Sequence, residues 1–78
     1  MPSVSIRAIG YDEDREELWI EYRSRLGGYS YFNVPPGVYD ELMEAGSRGG
    51  YVNAIIKPNY RRYLYRACPP PDIHPIPV

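Results

Sequence analysis

The stretch Gly28-Tyr29-Ser30-Tyr31-Phe32-Asn33-Val34-Pro35-Pro36 constrains the fold more than any other part of this 78-residue chain. Its Tyr, Phe and Val residues favour a pleated strand. Pro35 and Pro36 carry no N–H, so a sheet ladder cannot run through them. Pro36 also suits the first turn of a helix, where a missing N–H costs nothing. The stretch therefore reads as a strand that ends at a proline pair and turns directly into a helix. Any fold for this chain has to set a sheet and a helix on either side of that joint.

Two strands are expected ahead of the joint. Val4, Ile6 and Ala8 alternate with Ser5 and Arg7 at period two, and Gly10 beyond them either relieves crowding or marks a bulge. Residues 12–16 are too charged for anything but a turn. From Glu17 to Arg23, Leu18, Ile20 and Tyr22 share a core face. Trp19, Glu21 and Arg23 share the other, where Trp19 either lies along aliphatic stems or is covered by another element. Residues 24–28 make a hairpin loop. In the third strand Tyr29, Tyr31 and Asn33 point one way, and Ser30, Phe32 and Val34 the other. Links this short join antiparallel strands, which predicts a meander.

Behind the joint, Val38, Leu42 and Ala45, widened by Tyr39 and Met43, form the apolar stripe of a helix over 36–45, stopped by Gly46. Ser47 caps a second helix that carries Val52, Ile55 and Ile56 inward and ends at Lys57 before Pro58. Gly49-Gly50 weakens its first turn, which fits a tight helix–helix corner or a close backbone approach. Residues 59–66 satisfy two patterns. Tyr60, Tyr63 and Leu64 suit a helical turn, whereas Tyr63 and Tyr65 alternating with Leu64 and Arg66 suit a strand. Five of the last ten residues are proline, without a PxxP spacing, so this segment is expected to be extended and mobile. The expected fold is α+β: a three-stranded antiparallel meander packed against two short C-terminal helices. One domain spans residues 1–66, and 67–78 form a flexible Pro-rich tail.

Composition narrows the function classes. One cysteine, Cys68, allows no internal disulfide, and one histidine with no CxxC offers no metal site. No apolar run approaches the roughly 20 residues of a membrane span, and the start lacks a signal-peptide pattern, so a cytoplasmic protein is expected. Neither cofactor nor enzymatic activity is expected. His74 lies in the mobile segment, where nothing holds it for proton transfer. Cys68 adjoins the prolines as a spare thiol, and the acid pairs Asp12/Asp14 and Glu16/Glu17 are solvated turn charges. Net charge is −1, but it is unevenly spread: residues 12–21 hold six acids against Arg15, and residues 45–71 hold Arg48, Lys57, Arg61, Arg62 and Arg66 with no acid.

That basic half interleaves with aromatics. Single-stranded RNA is held by rings that stack bases and by cations that track phosphates. The candidate contact residues are Tyr29, Tyr31, Arg48, Tyr51, Asn53, Lys57, Tyr60, Arg61 and Arg62. Tyr29 and Tyr31 have two readings: stacking platforms about 7 Å apart, the two-residue step of a strand, or core rings with their hydroxyls at the rim. Tyr and Arg are equally the residues of protein interfaces, and an open sheet has edges that accept a partner strand. A protein-interaction module is therefore the alternative, with oligomeric state open.

The order Tyr11-Asp12, Tyr29-x-Tyr31-x-x-Val34-Pro35, Val38-Tyr39, Ala45-x-Ser47-x-Gly49-x-Tyr51-x-Asn53 and Ile56-Lys57-x-x-Tyr60 closely resembles the KTSC domain. The resemblance covers roughly residues 3–61 and excludes the Pro-rich segment. Gly50, following Arg48-Gly49, departs from it, because other side chains are usual there. KTSC domains occur at the C-terminus of some lysyl-tRNA synthetases and as small stand-alone bacterial or phage proteins. The resemblance bears on the fold far more than on the function, and it suggests RNA as ligand by attachment to a tRNA enzyme; the expected function is a small non-enzymatic binding module.

Overall fold

The computed structural model describes residues 5–78. Five strands form one antiparallel sheet: β1 (Ile6–Asp12), β2 (Glu17–Tyr22), β3 (Gly28–Tyr31), β4 (Tyr63–Arg66) and β5 (Ile76–Pro77). Their order across the sheet is β4-β3-β2-β1-β5. The expected three-stranded meander is thus the centre of a wider sheet. Residues 59–66 resolve in favour of a strand from Tyr63, which adds to the β3 edge as Tyr29↔Tyr65 and Tyr31↔Tyr63. Val4 lies outside the described residues.

One irregularity decides which residues of β1 face the core. Ile6 pairs with Tyr22, and Ala8 with Glu21, so β1 carries one extra residue between them. A bulge of one residue reverses the side-chain alternation. Ile6 and Ile9 therefore point into the core, and Ala8 points to the opposite face. The expected Ile6–Ala8 stripe is broken there. Gly10 itself pairs regularly with Trp19, so the bulge is not at the glycine.

The joint behaves as the prolines dictate. Asn33 turns the chain with φ 62°, a left-handed conformation that Asn tolerates. Val34 is fully buried and donates its N–H to the Glu16 carbonyl at 2.9 Å, while the Tyr11 hydroxyl donates to the Val34 carbonyl. α1 (Pro36–Glu44) starts directly behind, with proline in its first turn and Leu42 buried. A second helix follows as three continuous pieces: α2 (Arg48–Tyr51), a π-helical turn over Val52–Ile56, and α3 (Lys57–Asn59). Ser47 caps it as expected, its Oγ accepting from Gly50 N at 3.0 Å. The helix passes Pro58 instead of stopping at Lys57. The wide turn explains this: Lys57 N–H bonds the Val52 carbonyl, five residues back. That opens the coil where a proline ring would otherwise meet a carbonyl of the preceding turn. Asn59 Nδ2 then donates to the Ile55 carbonyl at 2.9 Å. Ile55, expected inward, is 37% exposed; Val52 and Ile56 are the inward pair.

The sheet is covered on both faces. Leu42, Val52 and Ile56 close the core over Ile6, Ile9, Leu18, Ile20, Tyr22 and Tyr31. On the other face Trp19 is fully buried. Its neighbours across the strands are small, Gly10 on β1 and Ser30 on β3. A Cβ at Gly28 would stand 2.8 Å from Trp19 Cζ2, so the missing side chain leaves room for the indole. The Pro-rich segment, expected to be a flexible tail, lies across this face. Ile73 is 3% exposed, and its Cγ2 occupies the space that a Cβ on Gly10 would need. Pro70 is buried as well. β5 pairs with β1 as Ala8↔Pro77 and Ile9↔Ile76, and Val78 N donates to the Arg7 carbonyl at 3.1 Å. The covering element that Trp19 called for is this C-terminal strap.

Candidate functional site

The helices cover the β1–β2 side of the core face and leave its β4 side open. Five tyrosines line that side. Tyr31 is 4% exposed, Tyr22 is buried and Tyr29 is half-buried, whereas Tyr63 and Tyr65 are 58% and 50% exposed. The rings touch in sequence: Tyr22–Tyr29 at 5.9 Å, Tyr29–Tyr65 at 5.6 Å, Tyr29–Tyr63 at 5.8 Å and Tyr31–Tyr63 at 5.7 Å between centroids. The first three are edge-to-face, the arrangement that aligns ring quadrupoles favourably.

The open question at Tyr29-Ser30-Tyr31 thus has a split answer. Tyr31 is core, and its hydroxyl shares a 2.9 Å hydrogen bond with that of Tyr22. Tyr29 is the hinge between core and surface, with its hydroxyl accepting from Arg25 at 3.0 Å. The surface rings come from β4, two residues apart on one face. Neither Tyr63 nor Tyr65 was among the contacts expected from the sequence. The alternation Tyr63-Leu64-Tyr65-Arg66 was the signal available.

Cations border the tyrosines. Lys57 Nζ stands 5.4 Å from the Tyr22 ring centroid, within cation–π range. Arg25 is bonded to Tyr29, and Arg61 and Arg62 are exposed just ahead of β4. Arg25, Leu26, Tyr29 and Tyr65 line a shallow depression. Its floor is fixed by the β2–β3 loop. The Tyr65 hydroxyl donates to the Leu26 carbonyl at 3.0 Å, and Gly27 turns at φ 76° with a virtual Cβ 2.5 Å from the Arg66 carbonyl oxygen. Only glycine fits a position that is both left-handed and that close to β4.

Other expected contact residues are engaged elsewhere. Arg48 donates to the Met43 carbonyl at 3.0 Å and braces the corner between α1 and α2. Tyr51 donates to Glu41 at 2.7 Å on the same corner. Asn53 is half-buried on the π turn, and Tyr60 packs against the core. The structure therefore gathers Tyr29, Tyr31, Lys57, Arg61 and Arg62 around β4 and gives Arg48 and Tyr51 structural bonds. Gly49 is buried in that corner, in line with the tight packing its sequence suggested. Among the described residues no three His, Cys, Asp or Glu side chains converge on a metal position, and no helix is long and apolar enough to cross a membrane.

Burial raises the phenol pKa of several tyrosines. Tyr11, stacked on Tyr39 at 4.6 Å and near Glu16 and Glu13, is pushed up to about 12. Tyr22 and Tyr31 are also raised, in both cases mainly by burial. A folded-state pKa above the unfolded value of about 10 means that the fold favours the neutral phenol. This stability is complete below pH 10 and is lost as pH climbs through the raised values. Alkaline titration followed by phenolate absorbance and circular dichroism should show these rings ionising together with loss of structure above about pH 10. Ionisation of all nine tyrosines before any structural change would contradict the packing.

An α+β domain of one antiparallel sheet, two-helix cover and Pro-marked joint defines the structural class. The sequence matches the KTSC domain family over residues 2–60, and the chain belongs to that family. It is similar to the crystal structure of a KTSC domain protein from Yersinia pestis, with a TM-score of 0.71 and 32% identity, covering 85% of this chain and 93% of that one. A small protein from Tsukamurella paurometabola is 43% identical over 61 residues, covering 76% of this chain and 87% of the relative. An uncharacterized protein from Stutzerimonas stutzeri is 40% identical over 63 residues, with 81% and 87% covered. A lysine–tRNA ligase from Nostoc punctiforme is 36% identical over 56 residues, which span 72% of this chain and 10% of the ligase.

Proposed function

We propose that this protein is a small non-enzymatic binding module whose ligand is single-stranded RNA, taken up on the tyrosine surface of β4. The observation that carries the reading is the exposure of Tyr63 and Tyr65 on one face, bordered by cations. Each ring offers a stacking platform for a base, and Lys57, Arg61 and Arg25 suit the phosphates that follow, whereas Arg62 lies on the Leu64 face of the strand. The similarity of the chain to a short part of a lysine–tRNA ligase supports the same ligand class. Relative to the sequence-based assignment, the stacking role passes from Tyr31, which is buried, to Tyr63 and Tyr65.

Anisotropy titration of labelled single-stranded RNA tests this. Tyr63→Ala and Tyr65→Ala should each weaken binding by about 10- to 100-fold, the value of one stacked base. Arg61→Ala should flatten the dependence of log affinity on log salt by about one. Both sites are exposed, so these variants keep their fold by circular dichroism. Absence of wild-type binding at low salt would refute the reading.

A further inference from the structure

We infer that β4 is a self-pairing edge, through which two copies of this chain join their sheets about a two-fold axis. The argument starts from the direction of backbone groups. Phe32 N donates to the Arg62 carbonyl at 3.0 Å, so Arg62 faces β3. Antiparallel ladders alternate, which turns Leu64 and Arg66 toward β3 as well. The N–H and C=O groups of Tyr63 and Tyr65 then point away from the sheet. β4 is the last strand on this side, and among the described residues those four groups meet no backbone partner.

A symmetric antiparallel partner must keep side chains on matching faces, so the axis passes through a residue rather than between two. Centring it on Leu64 sets Tyr63 opposite Tyr65 of the second copy, and Tyr65 opposite its Tyr63. These are the residues whose backbone groups point outward, so all four groups per copy find partners. Leu64, 51% exposed, meets its own counterpart on the other face. No other centre within β4 pairs both outward-facing residues with each other. The tyrosine rows of the two copies become continuous across the join.

The area sets the strength. Tyr63, Leu64 and Tyr65 are each about half exposed, and a tyrosine presents roughly 150–250 Å². Their burial falls short of the roughly 800 Å² per partner of a stable interface. The pair is therefore weak and concentration-dependent. It also sets exposed Arg62 opposite Arg66 of the second copy; Glu17, 3.9 Å from Arg66, offsets part of that charge, and the remainder repels across the strands. Added salt screens that repulsion, so dimerisation strengthens with salt, opposite in sign to RNA binding. This inference does not rest on the RNA reading, and the measurement needs no RNA.

Sedimentation velocity from low micromolar to millimolar concentration, at low and high salt, provides the test. The expected result is a monomer–dimer equilibrium that shifts toward dimer with salt. Tyr65→Ala removes the ring, whereas Tyr65→Pro removes the ring and the outward N–H without touching the bonds to β3. The proline variant should be monomeric at concentrations where the alanine variant still dimerises. Hydrogen exchange on the wild type gives an independent reading: amide protection at Tyr63 and Tyr65 should rise with concentration, while Leu64 stays protected throughout. A monomer at every concentration and salt, a dimer indifferent to Tyr65→Pro, or concentration-independent exchange at Tyr63 and Tyr65 would overturn the proposal.

Discussion

Ending the chain after Ala67 is expected to cost about 3–5 kcal/mol of stability and to shift tryptophan emission to the red. The strap that this removes buries Ile73, and a fully buried aliphatic side chain contributes about 1.5–3 kcal/mol. It also covers the face on which Trp19 lies, and re-exposing part of an indole adds a comparable amount. Stability of about 0.05–0.15 kcal/mol per residue gives a 78-residue domain about 4–12 kcal/mol in total. The truncated chain is thus left at the margin. A urea melt followed by circular dichroism and fluorescence reads both effects. An unchanged midpoint with unchanged emission would mean that residues 68–78 do not rest on the sheet in solution. Ile73→Ala should reproduce about 2 kcal/mol of the loss without shortening the chain.

Gly28→Ala should destabilise by about 3 kcal/mol, which is unusual for adding one methyl group to a strand. Ordinarily alanine is the better residue in a strand, since glycine has more backbone freedom to lose. Here the added Cβ would stand 2.5 Å from the Ile20 carbonyl oxygen and 2.8 Å from Trp19 Cζ2. The first contact is backbone and cannot rotate away. The second pushes a fully buried indole against the strap. Overpacking of this kind costs about 1–3 kcal/mol, with more where the backbone has to move. The thermal midpoint of the variant checks the value, and a midpoint at or above wild type would show that the indole does not lie over Gly28. Because Gly28→Ala and the truncation both act through Trp19, their effects should fall short of additive when combined.

Much of the frame was legible from local chemistry. The proline pair marked the end of β3 and the start of α1, Ser47 marked the next helix start, and the Leu18-Ile20-Tyr22 alternation marked the core face. Each signal acts within a few residues. What escaped was decided at long range. The bulge between Ile6 and Ala8 depends on register with β2, which no property of β1 alone reveals. Residues 59–66 satisfied two periodicities, and only the free edge of β3 selects the strand. Pro58 read as a stop because an ordinary helical turn has no room for its ring, whereas the π turn provides it. The strap was obscured by its prolines, which exclude a helix or an interior strand but permit packing and a short edge strand. At the candidate site, Tyr29 and Tyr31 were recognised as a pair, although their exposure depends on where the helices stop covering the sheet. Arg48 and Tyr51 looked available because their partners, Met43 and Glu41, belong to the preceding helix.

The match to the family ends at Tyr60, yet Tyr63, Tyr65, the strap and the cover over Trp19 all follow it. The elements up to Asn59 build the scaffold, and the short passage after them adds both the outermost strand and the back wall. An exchanged β4 would present a different surface on the same helices and central strands.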